Sequence, residues 1–218
     1  MSKKISKKKK QPAIRVDTSR NLQGATSKAV KVLLSGGVVA YPTESFYGLA
    51  VDATNEKAVK HLFFVKKRQS SHPVLILIPS IEVLGQYVDH IPLIAQKLIK
   101  VFWPGGLTLI FSADPKISPL LTSGTGKIGI RLSSHPIAAA LTQTIGLPIT
   151  GTSANISSEP ACRNADEVLF AFKEGVDLIL DGGETAGETG STILDITQHP
   201  PLVLREGMIK ESRLVDFI

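Results

Sequence analysis

Residues 36–52, GGVVAYPTESFYGLAVD, join two short apolar runs through a segment that is too polar to serve only for packing. Residues 38–41 predict a buried strand, which Pro42 ends because proline has no backbone N–H for a neighbouring strand. Residues 43–48 then place two hydroxyls and a carboxylate at the strand end, where α/β proteins tend to bind ligands. We interpret this segment as one wall of a small-molecule site. The alternative, which this motif alone would favour, is a polar turn with Gly48 at a positive φ.

Apolar periodicity along the rest of the chain predicts helices that alternate with strands. Helices are predicted at residues 25–35, 56–67, 93–102 and 136–145, and from Asn164 or Asp166 to Phe172. Strands are predicted at residues 74–78, 107–111, 127–132, 147–150, 178–181, 191–196 and 202–204. The last two are close enough in sequence to pair antiparallel. The pattern therefore predicts one α/β domain with a mixed sheet.

The composition is that of a globular protein. The chain has 218 residues, 43% of them hydrophobic, which is enough for one sizeable core. Its single cysteine, Cys162, excludes an internal disulfide and a zinc site built from cysteines. No apolar run approaches the roughly 20 residues that a membrane-spanning helix needs, so we expect a cytoplasmic protein with no membrane contact.

The positive charge of the chain is concentrated at its N-terminus. Residues 1–10 hold six of the 25 Lys and Arg residues, which leaves 19 to balance the 19 Asp and Glu residues. A lysine block of this kind is typical of disordered tails and attracts RNA or another polyanion without specificity. A solvated tail that only aids solubility is the alternative. We therefore expect residues 1–20 to form a lysine-rich disordered tail and residues 21–218 to form one catalytic domain.

Cations cluster at two places beside predicted strands. Residues 66–68 read Lys-Lys-Arg at the end of the second helix, where the helix dipole alone would favour them, and they also precede a predicted strand. In the strand at 127–132, alternation places Lys127, Gly129 and Arg131 opposite a face of three apolar side chains. A glycine between two cations would let a ligand approach the backbone closely, whereas the alternative is an ordinary solvated face.

A second polar segment, residues 151–155 (GTSAN), follows the strand at 147–150 as the first polar segment follows its own strand. Its short side chains can donate or accept hydrogen bonds near a phosphate or a base. Two such strand ends predict a crevice. Residues 184–190, rich in glycine, threonine and acid, are interpreted as a mobile loop or lid. His72 is isolated in its loop, and such a histidine is more often a surface residue than a catalyst.

Several short motifs occur along the chain in an order that identifies a resemblance. They are Tyr41-Pro42-Thr43-Glu44, Tyr47-Gly48-Leu49, Lys66-x-Arg68, Trp103-Pro104-Gly105, Arg131 before His135-Pro136, Ser153-Ala154-Asn155, Ser191-Thr192-Ile193 and Leu204-Arg205-Glu206-Gly207. Each is weak alone. In this order and spacing they make residues 25–207 similar to the YrdC family, the threonylcarbamoyl-AMP synthases. The chain resembles the short, single-domain form of that family.

The resemblance implies a twisted mixed α/β sheet, flanked by helices, with a concave and basic ligand cavity. It implies a reaction that makes threonylcarbamoyl-AMP and pyrophosphate from ATP, L-threonine and bicarbonate. In the family a downstream threonylcarbamoyl-transferase complex takes this product and transfers its threonylcarbamoyl group to the adenosine beside the anticodon of certain tRNAs. Attack on the α-phosphate builds negative charge, which fixed cations and a Mg²⁺ ion carried by the nucleotide would stabilise. The lysine-rich tail would add a weak tRNA contact.

The resemblance also implies which residues form the site. Those expected to contact ATP are Lys66, Arg68 and Arg205 at the phosphates, and Ser153 and Asn155 as hydrogen-bonding groups. Those expected to hold threonine or its carboxylate are Thr43, Arg131 and Ser191. Secondary candidates near the same cavity are Ser70 and Lys127. No residue stands out as a general base and no metal site is built from side chains, so catalysis is assigned to positioning and to the charges of Lys66 and Arg68.

Two departures from the family pattern and two alternatives accompany this prediction. Gln69 stands where many relatives have proline, and His72 stands where others have lysine or asparagine. A sister subfamily lacks the Ser-Ala-Asn motif. The presence of this motif at residues 153–155 makes the chain similar to the synthases and not to that subfamily. One alternative is a relative that forms carbamoyl-AMP, but such proteins carry additional modules. The other is a non-catalytic RNA-binding module, against which the few scattered aromatic residues argue.

Overall fold

The structure is a computed structural model that describes residues 13–68 and 72–218. Its eleven named strands form two sheets within these residues. The first sheet contains β1 (Ile14–Asp17), β2 (Val39–Pro42), β3 (Tyr47–Ala50), β8 (Thr152–Ser153) and β9 (Leu178–Asp181). The second contains β4 (Ile76–Leu77), β5 (Leu107–Ser112), β6 (Lys127–Arg131), β7 (Ile149–Thr150), β10 (Thr192–Asp195) and β11 (Leu202–Arg205).

Both sheets are mixed. In the first, with strand order β1-β9-β2-β3-β8, β9 is parallel to β1 and β2, and β3 is antiparallel to β2 and β8. In the second, with order β11-β10-β5-β6-β4-β7, β10 is parallel to β5 and β4 is parallel to β6, while the other pairs are antiparallel. The chain passes from the second sheet to the first at Gly151, between β7 and β8. The predicted mixed α/β architecture is therefore confirmed, with two sheets where one was expected.

Helices flank these sheets, and five of the six described α-helices begin at a polar side chain that caps the first turn. They are α1 (Leu22–Leu34), α2 (Glu56–Lys66), α3 (Leu93–Phe102), α4 (Pro119–Thr122), α5 (Pro136–Ile145) and α6 (Ala165–Phe172), with 3-10 turns at Ile81–Gln86 and Glu211–Arg213. Asn55 and Asn164 accept hydrogen bonds from the first backbone N–H groups of α2 and α6. At α5, Nδ1 of His135 accepts from the N–H of Ile137. Within the described residues, no helix is long and apolar enough to cross a membrane.

Two apolar clusters hold the layers together. The smaller one packs α1 and α5 on the first sheet, where Ala29, Leu33 and Leu141 cover Val39 and Leu180. The larger one includes residues of both sheets, together with Leu62 and Phe63 of α2 and Leu98 of α3. Burial of each leucine or phenylalanine side chain contributes about 1.5–3 kcal/mol. This packing leaves the polar strand ends free to face the space between the sheets.

The N-terminal boundary differs from the sequence prediction. Ile14–Asp17 was expected within a disordered tail of residues 1–20, but it forms β1 and pairs in parallel with β9. Arg15 fixes this strand further, since its guanidinium pairs with Asp181 at 2.8 Å and with Asp166 at 2.7 Å. The prediction of disorder is therefore wrong for this strand. For residues 1–12 it lies outside the described part of the chain.

Candidate functional site

A cavity of about 410 Å³ lies between the two sheets. Strand ends and the turns that follow them form its walls. Seven of the residues predicted from the sequence line it: Thr43, Arg68, Arg131, Ser153, Asn155, Ser191 and Arg205. The structure therefore brings together side chains that lie up to 162 positions apart in the sequence.

The turn between β2 and β3 forms one wall. Thr43 closes it, because both its N–H and its Oγ1 donate to the carbonyl of Phe46, at 3.1 and 2.7 Å. Gly48 does not provide a positive φ; instead, an added Cβ there would lie 3.0 Å from Cζ of Tyr41. Close packing against this ring is therefore the reason for glycine at position 48, and the interpretation as a simple polar turn is wrong.

Strand β6 presents Arg131 to the cavity. The predicted alternation is confirmed, because Ile128 and Ile130 are buried in the core while Gly129 and Arg131 line the cavity. Nη2 of Arg131 donates to Oε2 of Glu44 at 3.1 Å, but its buried Nε has no hydrogen-bond partner among the described residues. A buried N–H without an acceptor costs about 1–3 kcal/mol. The unpaired Nε of Arg131 therefore lowers the free energy of unfolding, as expected of a group that binds a ligand.

Arg205 approaches the same region from β11. Its Nε and Nη2 donate to the carbonyl of Ser191 at 3.1 and 2.8 Å, and Nη2 also reaches Oγ of Ser191 at 3.2 Å. That hydroxyl is in turn 2.8 Å from Oγ1 of Thr108. Burial and the nearby charge of Arg131 lower the pKa of Arg205. Two guanidinium groups that repel each other across a cavity favour an anionic ligand between them.

Lys66 does not occupy the place predicted for it. It is 1% exposed and lies outside the cavity lining. Its Nζ donates to the carbonyls of Ser153 and Asn155 and to Oδ1 of Asn155, the last at 3.0 Å. An ammonium group has three protons, and these three acceptors use all of them. Lys66 therefore positions the segment at 153–155, and the prediction that it contacts phosphates directly finds no support in its geometry.

Arg68 remains at the cavity. Its Nη2 donates to the carbonyl of Pro73 at 2.7 Å, and its Nε lies 3.4 Å from the carbonyl of His72. These bonds hold the guanidinium at the cavity, which Asn155 also lines. The His72 side chain itself is exposed. Ser70 lies outside the described residues.

Lys127 lies at the far end of its strand. Its Nζ forms an ion pair with Oδ2 of Asp195 at 2.9 Å, and it is not among the residues that line the cavity. Lys127 therefore does not line the cavity, and its place in the site stays a prediction. The partner carboxylate, which is 5% exposed, also accepts hydrogen bonds from Thr197.

The segment at 184–190 touches the turn between β2 and β3. The N–H of Gly187 donates to the carbonyl of Ser45 at 2.7 Å, and the N–H of Thr185 donates to the carbonyl of Arg163 at 2.9 Å. Gly190, at its end, lines the cavity. The segment thus borders the site, and its role as a lid stays a prediction.

The charge of the cavity is predominantly positive. Three arginines line it, and Glu159 is the one carboxylate among the lining residues. Sequence reasoning placed Ser45 in the wall of the site but gave it no role, and it did not select Glu159 or Thr108. Ser45 and Thr108 carry the hydroxyls closest to Thr43 and Ser191, at 3.2 and 2.8 Å. Only the fold shows the second pairing, because Thr108 lies in β5 and Ser191 immediately precedes the neighbouring strand β10, 83 positions later in the chain.

Comparisons with known proteins agree with this geometry. The family model Sua5_yciO_yrdC, described as "Telomere recombination", matches residues 31–207. The threonylcarbamoyl-AMP synthase of Pyrococcus abyssi is 38% identical over 179 residues, which cover 82% of this chain and 53% of that protein. The threonylcarbamoyl-AMP synthase of Bacillus subtilis is 38% identical over 189 residues, which cover 86% of this chain and 55% of that protein.

A solved structure gives the same result. The crystal structure of P. abyssi Sua5 complexed with L-threonine has a TM-score of 0.90 and 35% identity, and the match covers 95% of this chain and 61% of that one. The chain therefore spans about half the length of the curated relatives it matches. The fold, the order of the motifs and these similarities agree, and the predicted resemblance is confirmed. The chain belongs to the Sua5/YciO/YrdC family.

Proposed function

We propose that the protein is an L-threonylcarbamoyladenylate synthase, which makes threonylcarbamoyl-AMP and pyrophosphate from L-threonine, bicarbonate and ATP. The observation that carries the proposal is the pair of arginines, Arg131 and Arg205, which converge on one cavity from different strands and repel each other there. Arg68, Ser153 and Asn155 line the same cavity. A substrate pair with a carboxylate and a triphosphate matches this charge.

The residues divide between the two substrates. Arg131, with Thr43 and Ser191, would hold the carboxylate and hydroxyl of threonine. The nucleotide would be held by Arg68, Arg205, Ser153 and Asn155. Lys66 would contribute indirectly, because it donates hydrogen bonds to residues 153 and 155. Guanidinium groups suit both ligands because they donate paired hydrogen bonds to carboxylate and phosphate oxygens.

The proposed reaction has two steps. The amine of threonine takes up bicarbonate to form a carbamate with loss of water. A carbamate oxygen then attacks the α-phosphorus of ATP while the bond to the bridging oxygen of the β-phosphate breaks, and pyrophosphate leaves. The side chains align the two substrates and stabilise the charge that develops on the phosphate oxygens.

The donor set fits a Mg²⁺ ion that arrives with the nucleotide. Among the described residues, no group of three or more His, Cys, Asp or Glu side chains could hold a metal ion. Mg²⁺ in nucleotide sites is usually bound by one or two carboxylates together with phosphate oxygens, and Glu159 could provide the carboxylate. The ion would neutralise phosphate charge during the transfer.

The product would pass to a downstream enzyme that transfers threonylcarbamoyl to tRNA. The P. abyssi and B. subtilis relatives are named threonylcarbamoyl-AMP synthase, and P. abyssi Sua5 was crystallised in complex with L-threonine. These names support the proposed substrates. A weak tRNA contact through residues 1–10 is part of the same proposal.

A pyrophosphate-release assay tests the function. We expect release from ATP only when threonine and bicarbonate are both present, since the carbamate is the attacking group. Omission of either substrate is the matched control. Equal release with serine would contradict the choice of threonine, and tight, salt-sensitive RNA binding without turnover would favour an RNA-binding module instead.

A further inference from the structure

The carboxylate of Glu44 connects three parts of the fold behind the cavity wall. It belongs to the turn between β2 and β3, it pairs with Arg131 at the end of β6, and it accepts hydrogen bonds from residues 133–135, which lead into α5. The side chain of Glu44 is 10% exposed and that of Arg131 is 6% exposed. Glu44 is not among the residues that line the cavity. It therefore acts on the cavity through its neighbours.

The two oxygens of Glu44 have different partners. Oε1 accepts from Oγ of Ser133 at 2.9 Å, from Oγ of Ser134 at 3.0 Å and from the N–H of His135 at 3.3 Å, as well as from the N–H of Ser134. Oε2 accepts from Nη2 of Arg131 at 3.1 Å. One oxygen thus fixes the carboxylate to the start of α5, and the other is left to orient the arginine.

This division decides which part of Arg131 a ligand can reach. Nη2 is engaged by Glu44, and Nε is buried without a partner among the described residues. Nη1 has no hydrogen-bond partner in the same part of the chain and is not one of the buried unsatisfied atoms, so it opens onto the cavity. Removal of one partner of a buried ion pair leaves an uncompensated charge, so the pair with Glu44 favours the position that Arg131 holds here.

The ionisation of Glu44 is consistent with this geometry. Burial alone would favour the neutral acid, but the charge of Arg131 and the surrounding donors outweigh it and lower the pKa of Glu44. The carboxylate therefore stays ionised and acceptor-only, as five hydrogen bonds from N–H and O–H groups require.

We propose that Glu44 is a positioning residue, which holds the Arg131 guanidinium so that Nη1 meets the carboxylate of the amino-acid substrate. The identity of that substrate rests on the proposed function. The orientation of Arg131 by Glu44 does not, because it follows from the contacts in the ligand-free protein.

Glu44→Gln replaces one of the two carboxylate oxygens and keeps the other. A glutamine keeps one oxygen for residues 133–135 but turns an NH₂ group toward Nη2 of Arg131, so that two donors oppose each other. We expect the Kd of L-threonine to rise at least about tenfold in calorimetry, since one charge-assisted contact is misplaced. The Kd of ATP should change less than about twofold. Glu82→Gln, at an exposed glutamate of the 3-10 turn Ile81–Gln86, is the matched control.

A double-mutant cycle shows whether Glu44 acts through Arg131. In an Arg131→Lys background, Glu44→Gln should add little to the Kd of L-threonine. Equal losses in both backgrounds, or an equal loss for ATP and threonine in the single variant, would overturn the proposal. A purely structural role would weaken both ligands alike.

A measurement on the free protein separates this proposal from the proposed function. The ¹⁵Nε–¹H resonance of Arg131, assigned by its loss in Arg131→Lys, should shift or broaden in Glu44→Gln and stay in place in Glu82→Gln. An unchanged resonance would overturn the role of Glu44 even if threonine binds. A shifted resonance in a protein that does not bind threonine would support Glu44 and reject the substrate. If Glu44→Gln fails to fold, Glu44→Asp provides the same readout with a carboxylate too short to serve both sets of partners.

Discussion

At the scale of single residues, Lys66 illustrates how burial changes what a cation does. Its sequence position at the end of α2 suggested either a helix-dipole contact or a phosphate contact. In the fold, its ammonium is enclosed and donates to three oxygens of residues 153–155. Burial, followed by the charge of Arg68, lowers the pKa of Lys66 to about 7. The protonation of this one residue is therefore coupled to both folding and the site.

The lowered pKa of Lys66 predicts a pH dependence of stability. In the unfolded chain this lysine holds its proton up to a pKa of about 10.4, so between about pH 7 and 10 the unfolded state binds more protons than the folded state. The free energy of unfolding should therefore rise with pH in this window, by up to about 1.4 kcal/mol per pH unit from this group. Below about pH 7 the contribution is constant. Urea denaturation at pH 7.5, 8.5 and 9.5 measures the slope.

Lys66→Met should remove this contribution while it keeps the aliphatic part of the side chain. Lys67→Met, at the exposed neighbouring lysine, is the matched control and should keep the wild-type slope. Parallel curves for wild type and Lys66→Met would show that Lys66 is not neutralised in the fold.

At the scale of elements, the sequence predicted those parts whose signal is local. The helix at 93–102 has the predicted bounds, and Asn55 caps α2 as expected. Strand β9 also has its predicted bounds, because four apolar and acidic residues stand between clear turn signals. Local periodicity and capping chemistry suffice in these cases.

Short elements whose pairing is not local escaped prediction. β8 has two residues, and its partner β3 lies about a hundred positions earlier in the chain, so no periodicity could reveal it. The division into two sheets depends on such pairings. The same reason explains the site. Alternation placed Arg131 on the polar face of its strand and the family resemblance selected Ser191, but the burial of Lys66 and the contacts of Glu44 depend on neighbours that are distant in sequence.

The close approach of the chain after β11 to residues 190–191 gives a prediction for Gly207. An added Cβ there would lie 2.2 Å from the carbonyl oxygen of Gly190 and 2.8 Å from that of Ser191, and both contacts are with rigid backbone. Gly207→Ala should therefore destabilise the protein by about 1–3 kcal/mol, as overpacking does. Because the same carbonyl of Ser191 holds Arg205, pyrophosphate release should fall as well.

Gly85→Ala is the control for that substitution, since a Cβ added at Gly85 would have no atom within 4 Å among the described residues. Its free energy of unfolding should stay within about 0.5 kcal/mol of wild type. Thermal melts of both variants measure the difference. Equal stability of the two would show that the segment at Gly207 can shift away from residues 190–191 without loss.

At the scale of the whole molecule, the end of the lysine-rich segment and the start of the first strand lie at different positions. The excess of positive charge lies in residues 1–10, whereas the folded chain includes β1 from Ile14 onward. Two truncations therefore separate the electrostatic role of the N-terminus from its structural role. Removal of residues 1–10 leaves β1 in place, and removal of residues 1–20 takes away β1 together with the ion pairs of Arg15.

Removal of residues 1–10 should leave pyrophosphate release and the melting temperature nearly unchanged. Binding to tRNA, measured by fluorescence anisotropy at several salt concentrations, should weaken and lose part of its salt dependence, because each lysine that meets a phosphate contributes about 0.7–0.9 to the log–log slope. Removal of residues 1–20 should also lower the melting temperature, because Leu178 to Asp181 of β9 would lose their hydrogen-bonded neighbour at the sheet edge. An unchanged melting temperature after the longer truncation would show that β1 adds nothing to stability. Loss of pyrophosphate release after removal of residues 1–10 would show that these lysines act within the cavity. The remaining chain has equal numbers of basic and acidic residues.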